Sequence, residues 1–180
     1  MPLAEKKTYT IDDILALPEN VRAELIDGQI YYQATPSDSH QAILSALHLK
    51  IGNYINSKGG KCKVRFAPYA VFLTENNKNY VEPDLTVICD ESKLTEEGCK
   101  GAPDFIIEVV SPSTRNMDYG KKMLKYATAG VREYWIVDRE KNRITVHYFE
   151  KEDFAEYTFS DTVKVGIFDD FEINFSELNI

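Results

Sequence analysis

The sequence predicts an α/β fold, a mixed β-sheet with helices on its faces, and three observations carry that prediction. Two short runs, Leu85–Cys89 and Phe105–Val110, are almost continuously apolar, as strands buried on both faces are. The stretch from Phe105 to Asp138 reads strand, helix, strand, the unit that joins parallel neighbours through a right-handed crossover. Elsewhere, short strand-like runs are separated by turn residues, as in antiparallel hairpins.

In order along the chain, Thr10 caps a short helix over Thr10–Leu17 that Pro18 closes. Val21–Ile26 and Gln29–Ala34 flank Asp27-Gly28, the strongest short hairpin signal. Over Ser39–Ile55, the apolar residues Ile43, Leu44, Leu47, Ile51 and Ile55 recur at helical spacing, with Ser37 or Ser39 as cap and Gly59-Gly60 as stop. Strands follow at Lys63–Ala67, Tyr69–Leu73, Leu85–Cys89 and Phe105–Val110. A helix over Arg115–Ala129 is closed by Gly130, and Glu133–Val137 is an apolar strand. Arg143–Phe149, Phe154–Phe159 and Thr162–Gly166 complete the set. The length of 180 residues suits one domain, taken as 1–180.

Composition bounds the function. A hydrophobic share of 43% supports a packed core, and no apolar run reaches the ~20 residues that span a bilayer. The stretch Met1–Thr10 is polar, without the apolar centre of a secretory signal. Cys62, Cys89 and Cys99 are widely spaced and form no Cys-x-x-Cys pair, so neither a zinc knuckle nor a disulfide framework is expected, and a reducing, cytoplasmic setting is the default. The net charge of −8 argues against a surface that binds nucleic acid everywhere. The charge is uneven, however: Ser111–Arg143 holds eight Lys and Arg against four acids, which permits a local basic face.

Two acids stand out by position. Asp84 opens a strand directly after Pro83, and Glu108 lies inside the apolar run Phe105–Val110. A carboxylate within a buried strand is costly unless paired, hydrogen-bonded or bound to a metal. The ordinary explanation is a structural ion pair. Two such carboxylates converging on one point would instead make a hard-oxygen site suited to Mg²⁺ or Mn²⁺. On a regular wheel of the following helix, Tyr119, Met123 and Tyr126 form the apolar face with Leu124, Lys122 falls on its border, and Asp118 and Lys125 point away. Lys122 could thus reach the strand ends, although taken alone an ordinary i,i+4 pair between Asp118 and Lys122 is the better explanation.

The stretch Val81–Leu85, the run Ile107–Thr114, then Asp118, Lys122, Tyr126 and Gly130–Asp138, closely resemble the Uma-type restriction endonuclease family, which is built on the PD-(D/E)XK nuclease fold. Glu24–Gly28 and Pro36–His40 resemble the N-terminal half of that family, and the likeness fades only after Phe149. It implies a restriction-endonuclease-like fold with extra C-terminal strands. It implies a metal held by Asp84, Glu108 and the main-chain carbonyl of Val109, with Glu24 approaching it. One departure matters: two residues after Glu108 stands Val110 rather than a lysine. The resemblance moves that role to the following helix, where Lys122 fits it best on the wheel and Lys121 or Lys125 could substitute. The implied activity is Mg²⁺- or Mn²⁺-dependent hydrolysis of DNA phosphodiester bonds, with a homodimer as a natural way to cut both strands. The alternative is a catalytically silent module on the same fold that binds nucleic acid or a partner protein.

Four further residues are candidates for lining the substrate site. His40 lies near a helix start in register with the apolar stripe, where a core-boundary role is the commoner one. Ser111 begins the Ser-Pro-Ser-Thr turn, read first as a helix cap and second as a phosphate-gripping loop. Arg115 could contact phosphate, although a solvated helical face explains it equally well, and Tyr126 could touch substrate, with packing on the sheet the commoner role. Glu133 is read as structural.

Overall fold

The computed structural model describes residues 7–180, so most of the polar stretch Met1–Thr10 lies outside it. In chain order the elements are α1 (Ile11–Leu15), β1 (Ala23–Ile26), β2 (Gln29–Tyr32), α2 (Asp38–Ser57), β3 (Lys63–Phe66), β4 (Val71–Phe72) and β5 (Leu85–Ile88). Then come β6 (Leu94–Thr95), β7 (Gly98–Lys100), β8 (Phe105–Val109), α3 (Met123–Ala129), β9 (Glu133–Asp138) and β10 (Arg143–Tyr148). The chain ends with β11 (Asp153–Tyr157), β12 (Thr162–Lys164) and β13 (Glu172–Asn174). No helix among the described residues is long and apolar enough to cross a membrane.

The central sheet has the order β11-β10-β9-β8-β5-β3. Only β8 and β9 pair in parallel, through the helical connection between them; the other neighbours are antiparallel. The sheet is therefore mixed, as the apolar runs and the strand–helix–strand unit require. The chain forms the expected hairpin between β1 and β2, with Asp27 at φ 50° and Gly28 at φ 71°. That turn needs positive φ at both central positions, and a Cβ on Gly28 would lie 2.4 Å from Thr8 Cγ2. Strands β6, β7 and β13 are short and carry no alternation that sequence patterning resolves.

Alternation along the central strands divides the core in two. Leu85, Val87, Phe105, Ile107, Trp135 and Val137 face α2 and the C-terminal segment, packing with Leu47, Ile51, Val163 and Ile173. Ile88, Ile106, Tyr134 and Ile136 face the opposite side, where Tyr126 and Val131 cover them. Ser37 caps α2, its hydroxyl accepting the His40 N–H at 3.3 Å. This sets the N-terminus of α2 beside the start of β5.

One expectation is overturned. Cys62 and Cys89 are joined in a disulfide. The antiparallel register of β3 and β5 pairs Lys63 with Ile88, and this places the two flanking cysteines opposite each other across 26 intervening residues' worth of chain, a separation of 27. Spacing in sequence carries no trace of that register. The bond also removes the step from cysteine spacing to a reducing compartment, since disulfides persist in oxidising ones.

Candidate active site

Strand register brings the two singled-out acids together. Leu85 pairs with Ile107, so Asp84 and Glu108 are the next cross-strand neighbours in the antiparallel ladder. Leu85 and Ile107 face α2, and the period of two therefore turns Asp84 and Glu108 to the other side. Each carboxylate is anchored to the other's strand. The Asp84 N–H donates to Glu108 Oε2 at 3.4 Å, and the Val109 N–H donates to Asp84 Oδ2 at 2.8 Å. The ring Nε2 of His40 lies 3.1 Å from the same Asp84 oxygen.

Lys122 occupies the middle of the cluster. Its ammonium lies 2.9 Å from Glu108 Oε1, 2.8 Å from Glu24 Oε2 and 3.9 Å from Asp118 Oδ1. Tyr126 donates its hydroxyl to Glu108 Oε1 at 2.7 Å from the next turn of α3. Glu24, held on β1, accepts the Glu82 N–H at 2.9 Å. Three carboxyl groups thus surround one lysine, all four nearly shut off from bulk water, and Asp84 adjoins them with its side chain 19% exposed.

The regular wheel misplaced Asp118 and Leu124: Asp118 is buried at 1% exposure and Leu124 is 60% exposed. The reason is local. Met117–Lys122 forms a π-helical turn before α3 begins. In a regular α-helix each step of four residues drifts about 40° round the axis, so Asp118, Lys122 and Tyr126 would fan out over about 80°. The wider turn cancels part of that drift, and all three point into the same buried line. Such turns recur at functional sites. Asp118 is the site residue that sequence reasoning missed, and the signal for it was the unbroken spacing of four through Asp118, Lys122 and Tyr126.

Burial sets the electrostatics. It pushes the Glu108 carboxyl well above its ordinary range, against the pull of Lys122 and with reinforcement from Asp84, Asp118 and Glu24. Asp118 is pushed up to about 6 by burial, with Lys122 and the Thr114 hydroxyl opposing. Burial alone would lower Lys122, but Glu108, Glu24 and Asp118 outweigh it and hold the ammonium charged. Burial would likewise lower His40, and the hydrogen bond and charge of Asp84 turn the net shift upward. With every acid ionised the cluster would carry more negative charge than Lys122 balances, and burial answers this by pushing Glu108 and Asp118 toward the protonated form.

That imbalance, with donors that are all hard oxygens, fits a small divalent cation. Asp118 Oδ1 is buried and accepts no hydrogen bond. Among the described residues no three His, Cys, Asp or Glu side chains form a ready cage. Mg²⁺ does not require one, because it binds through one or two carboxylates and keeps several waters. The residues present therefore fit an ion held by Asp84, Glu108 and nearby main-chain oxygen, with Asp118 and Glu24 within the same cluster.

The cluster forms the floor of a cleft of about 680 Å³, walled by the β1–β2 hairpin, the loop before α2 and the turn after β8. Glu24, His40, Asp84, Glu108, Val109, Ser111 and Lys122 all line it. Ser111 also caps the following helix, its hydroxyl accepting the Thr114 N–H at 3.3 Å and its own N–H donating to Thr114 Oγ1 at 3.1 Å. Two expectations are corrected. Arg115 stands outside the cleft, its guanidinium bound to Asp138 at 2.9 Å and Glu140 at 2.8 Å. Tyr126 is fully buried behind Glu108 and cannot touch a substrate. Arg139, unmarked in sequence, supplies a basic side chain on the cleft wall instead.

The chain is similar to known proteins in sequence and in fold. A family model described as "Uma2: Putative restriction endonuclease" matches residues 11–176. An uncharacterised protein of Synechocystis is 29% identical over 126 residues, which cover 69% of this chain and 65% of that protein. The chain thus spans about two thirds of the length of that curated relative, at 65%. A crystal structure described as a putative nuclease belonging to DUF820, from Anabaena variabilis, superposes with a TM-score of 0.77 at 22% identity, covering 94% of this chain and 96% of that one.

Proposed function

The chain belongs to the Uma2 family of putative restriction endonucleases, and from that premise we propose that it is a divalent-cation-dependent endonuclease hydrolysing DNA phosphodiester bonds. The observation that carries this reading is the convergence of Asp84, Glu108 and Lys122 on the floor of one cleft. Asp84, Glu108 and the carbonyl of Val109 would hold Mg²⁺ or Mn²⁺, with Glu24 beside them. In such a site the cation supplies polarisation of a phosphoryl oxygen and a lowered pKa for water.

The protein's own groups do the rest. Lys122 offsets the charge that builds on the phosphorus as it becomes five-coordinate, and it does so in a pocket where burial strengthens its field. Tyr126 holds Glu108 Oε1 in place, so the carboxylate cannot swing away. His40 does the same for Asp84. The Ser111–Thr114 turn and Arg139 line the entrance that a phosphate backbone would pass. The reading takes residues 1–180 as one nuclease domain, and a second copy would let it cut both strands of a duplex.

The test is cleavage of supercoiled plasmid and labelled single- and double-stranded DNA with Mg²⁺ or Mn²⁺. Cleavage should disappear on chelation and in Glu108→Ala. Cleavage that survives both changes removes the assignment. The net charge of −8 favours a second reading, a silent module that binds a partner protein. Native protein that binds divalent cations yet cuts no nucleic acid would select it.

A further inference from the structure

We propose that the cleft takes an unpaired DNA strand, with bases stacked on Tyr31 and Tyr32 and a phosphate reaching down to Lys122; this rests on the reading of the cleft as a nuclease site. The depth of the cleft, its charge and its aromatic wall each point that way.

The reacting groups lie deep. Glu108 and Lys122 are each 4% exposed, so only a phosphate that enters the cleft can touch them. At about 680 Å³ the cleft is of the size, about 300–1,000 Å³, that encloses a small ligand. A duplex holds its phosphates on rails beside a major groove about 12 Å wide. Enzymes whose reacting groups are this recessed act on a strand that is single or locally extruded. Charge agrees. A duplex carries one phosphate per about 1.7 Å of its axis and is held by Lys and Arg. On the cleft wall, Arg22 is spent on Glu82 at 2.7 Å, and Lys122 on Glu24 and Glu108. Among the described residues, Arg139 is the lining cation that forms no ion pair. One such group cannot match two phosphate backbones. The hairpin wall is aromatic instead. Register sets Tyr31 opposite Glu24, and directly opposed residues share a face, so its ring stands on the side that holds the cluster. Lys121 fixes that ring, donating to the Tyr31 hydroxyl at 2.6 Å with its ammonium 5.1 Å from the ring centre. Tyr32 ends β2, is 68% exposed and lines the cleft, and residues 33–37 continue the rim. Two rings against one free cation make a stacking platform rather than a phosphate rail, and every base has a π-face to offer it.

Binding is read without turnover, by fluorescence anisotropy of labelled oligonucleotides on the full chain, at low salt with a chelator present. A single strand should bind about tenfold or more tightly than the duplex of the same sequence. Its affinity should fall with salt at a log–log slope of about −0.7 to −1.4, the mark of one or two phosphate contacts. Tyr32→Ala should weaken single-strand binding by about fivefold or more and leave duplex binding unchanged. Tyr32→Phe should keep the native affinity and Tyr32→Leu should lose it, a contrast between two apolar side chains that survives even where Tyr32→Ala disturbs the hairpin. Equal affinity for the two DNA forms overturns the inference, as does a preference for duplex, a steep salt slope, or a Leu variant that binds like the Phe variant. Absence of binding to either form overturns it too. A protein that prefers single strands but cleaves no DNA with Mg²⁺ or Mn²⁺ refutes the nuclease reading alone. One that binds and cuts both forms equally refutes the strand preference alone.

Discussion

Glu108 and Glu133 are both glutamates in adjacent central strands, both almost fully buried, yet they do opposite things. Glu133 faces the α2 side and is sealed by neutral donors: the Trp135 indole N–H at 2.6 Å and the Ile167 N–H at 2.8 Å. It clamps the C-terminal segment to the sheet. Gly166 permits that close approach, since a Cβ there would lie 2.7 Å from the Tyr148 ring and 3.1 Å from Glu133 Oε2. Glu108 faces the other side, shares Lys122 with two further acids, and opens onto the cleft. Burial of an acid in a strand is therefore not a mark of function by itself. What distinguishes the two is whether the donors around the carboxylate complete it or leave charge to be balanced from outside.

The contrast can be broken most severely at Glu108. Glu108→Ala is expected to reduce DNA cleavage to background, while Glu133→Ala, assayed where it remains folded, keeps a turnover within about threefold of native, because it lies on the far face of the sheet. Equal losses in both variants would erase the distinction. The reverse asymmetry should appear in stability. Glu133→Ala leaves the Trp135 and Ile167 N–H groups unpaired, and urea denaturation should show a loss of about 2–4 kcal/mol. A neutral result there would mean that water replaces the carboxylate.

A smaller effect tests how Glu108 is held. Tyr126→Phe removes one hydrogen bond to Oε1 and should lower kcat by about 10- to 100-fold with little change in melting temperature. Unchanged kcat would show that Lys122 alone suffices. The smallest effect is one of pH. Burial raises the Glu133 carboxyl above its ordinary 4.5, so the folded chain binds that proton more tightly than the unfolded chain. The contribution to stability is full below about pH 4.5, falls as pH rises to the raised folded value, and is level above it. Glu133→Gln should flatten that part of the stability–pH curve above about pH 4.5, and parallel curves would refute it.

Much of this was legible in local residue patterns. The Asp27-Gly28 hairpin, the stripe of α2 and the apolar β5 and β8 depend on neighbours within a few residues, where periodicity reports directly on burial. The same is true of Asp84 and Glu108 as suspicious acids, and of Lys122 as their partner, since a polar residue is conspicuous inside an apolar pattern. Asp118 was hidden for a physical reason: a wheel assumes one fixed angle per residue, and the π-helical turn violates it exactly where the site is built. Arg115 looked free because its partners Asp138 and Glu140 lie more than twenty residues on, across the crossover.

What this amino-acid sequence determined by itself is the set of elements and the cost of burying Glu108, because both follow from hydrophobic spacing and from the free energy of a charge out of water. Tertiary structure alone decided the rest. Register across β5 and β8 set Asp84 against Glu108, and register across β3 and β5 joined Cys62 to Cys89. The path of the chain brought Glu24 from a distant hairpin to Lys122. Those are encounters between residues far apart in sequence, and their energies depend on distances that only the folded chain defines.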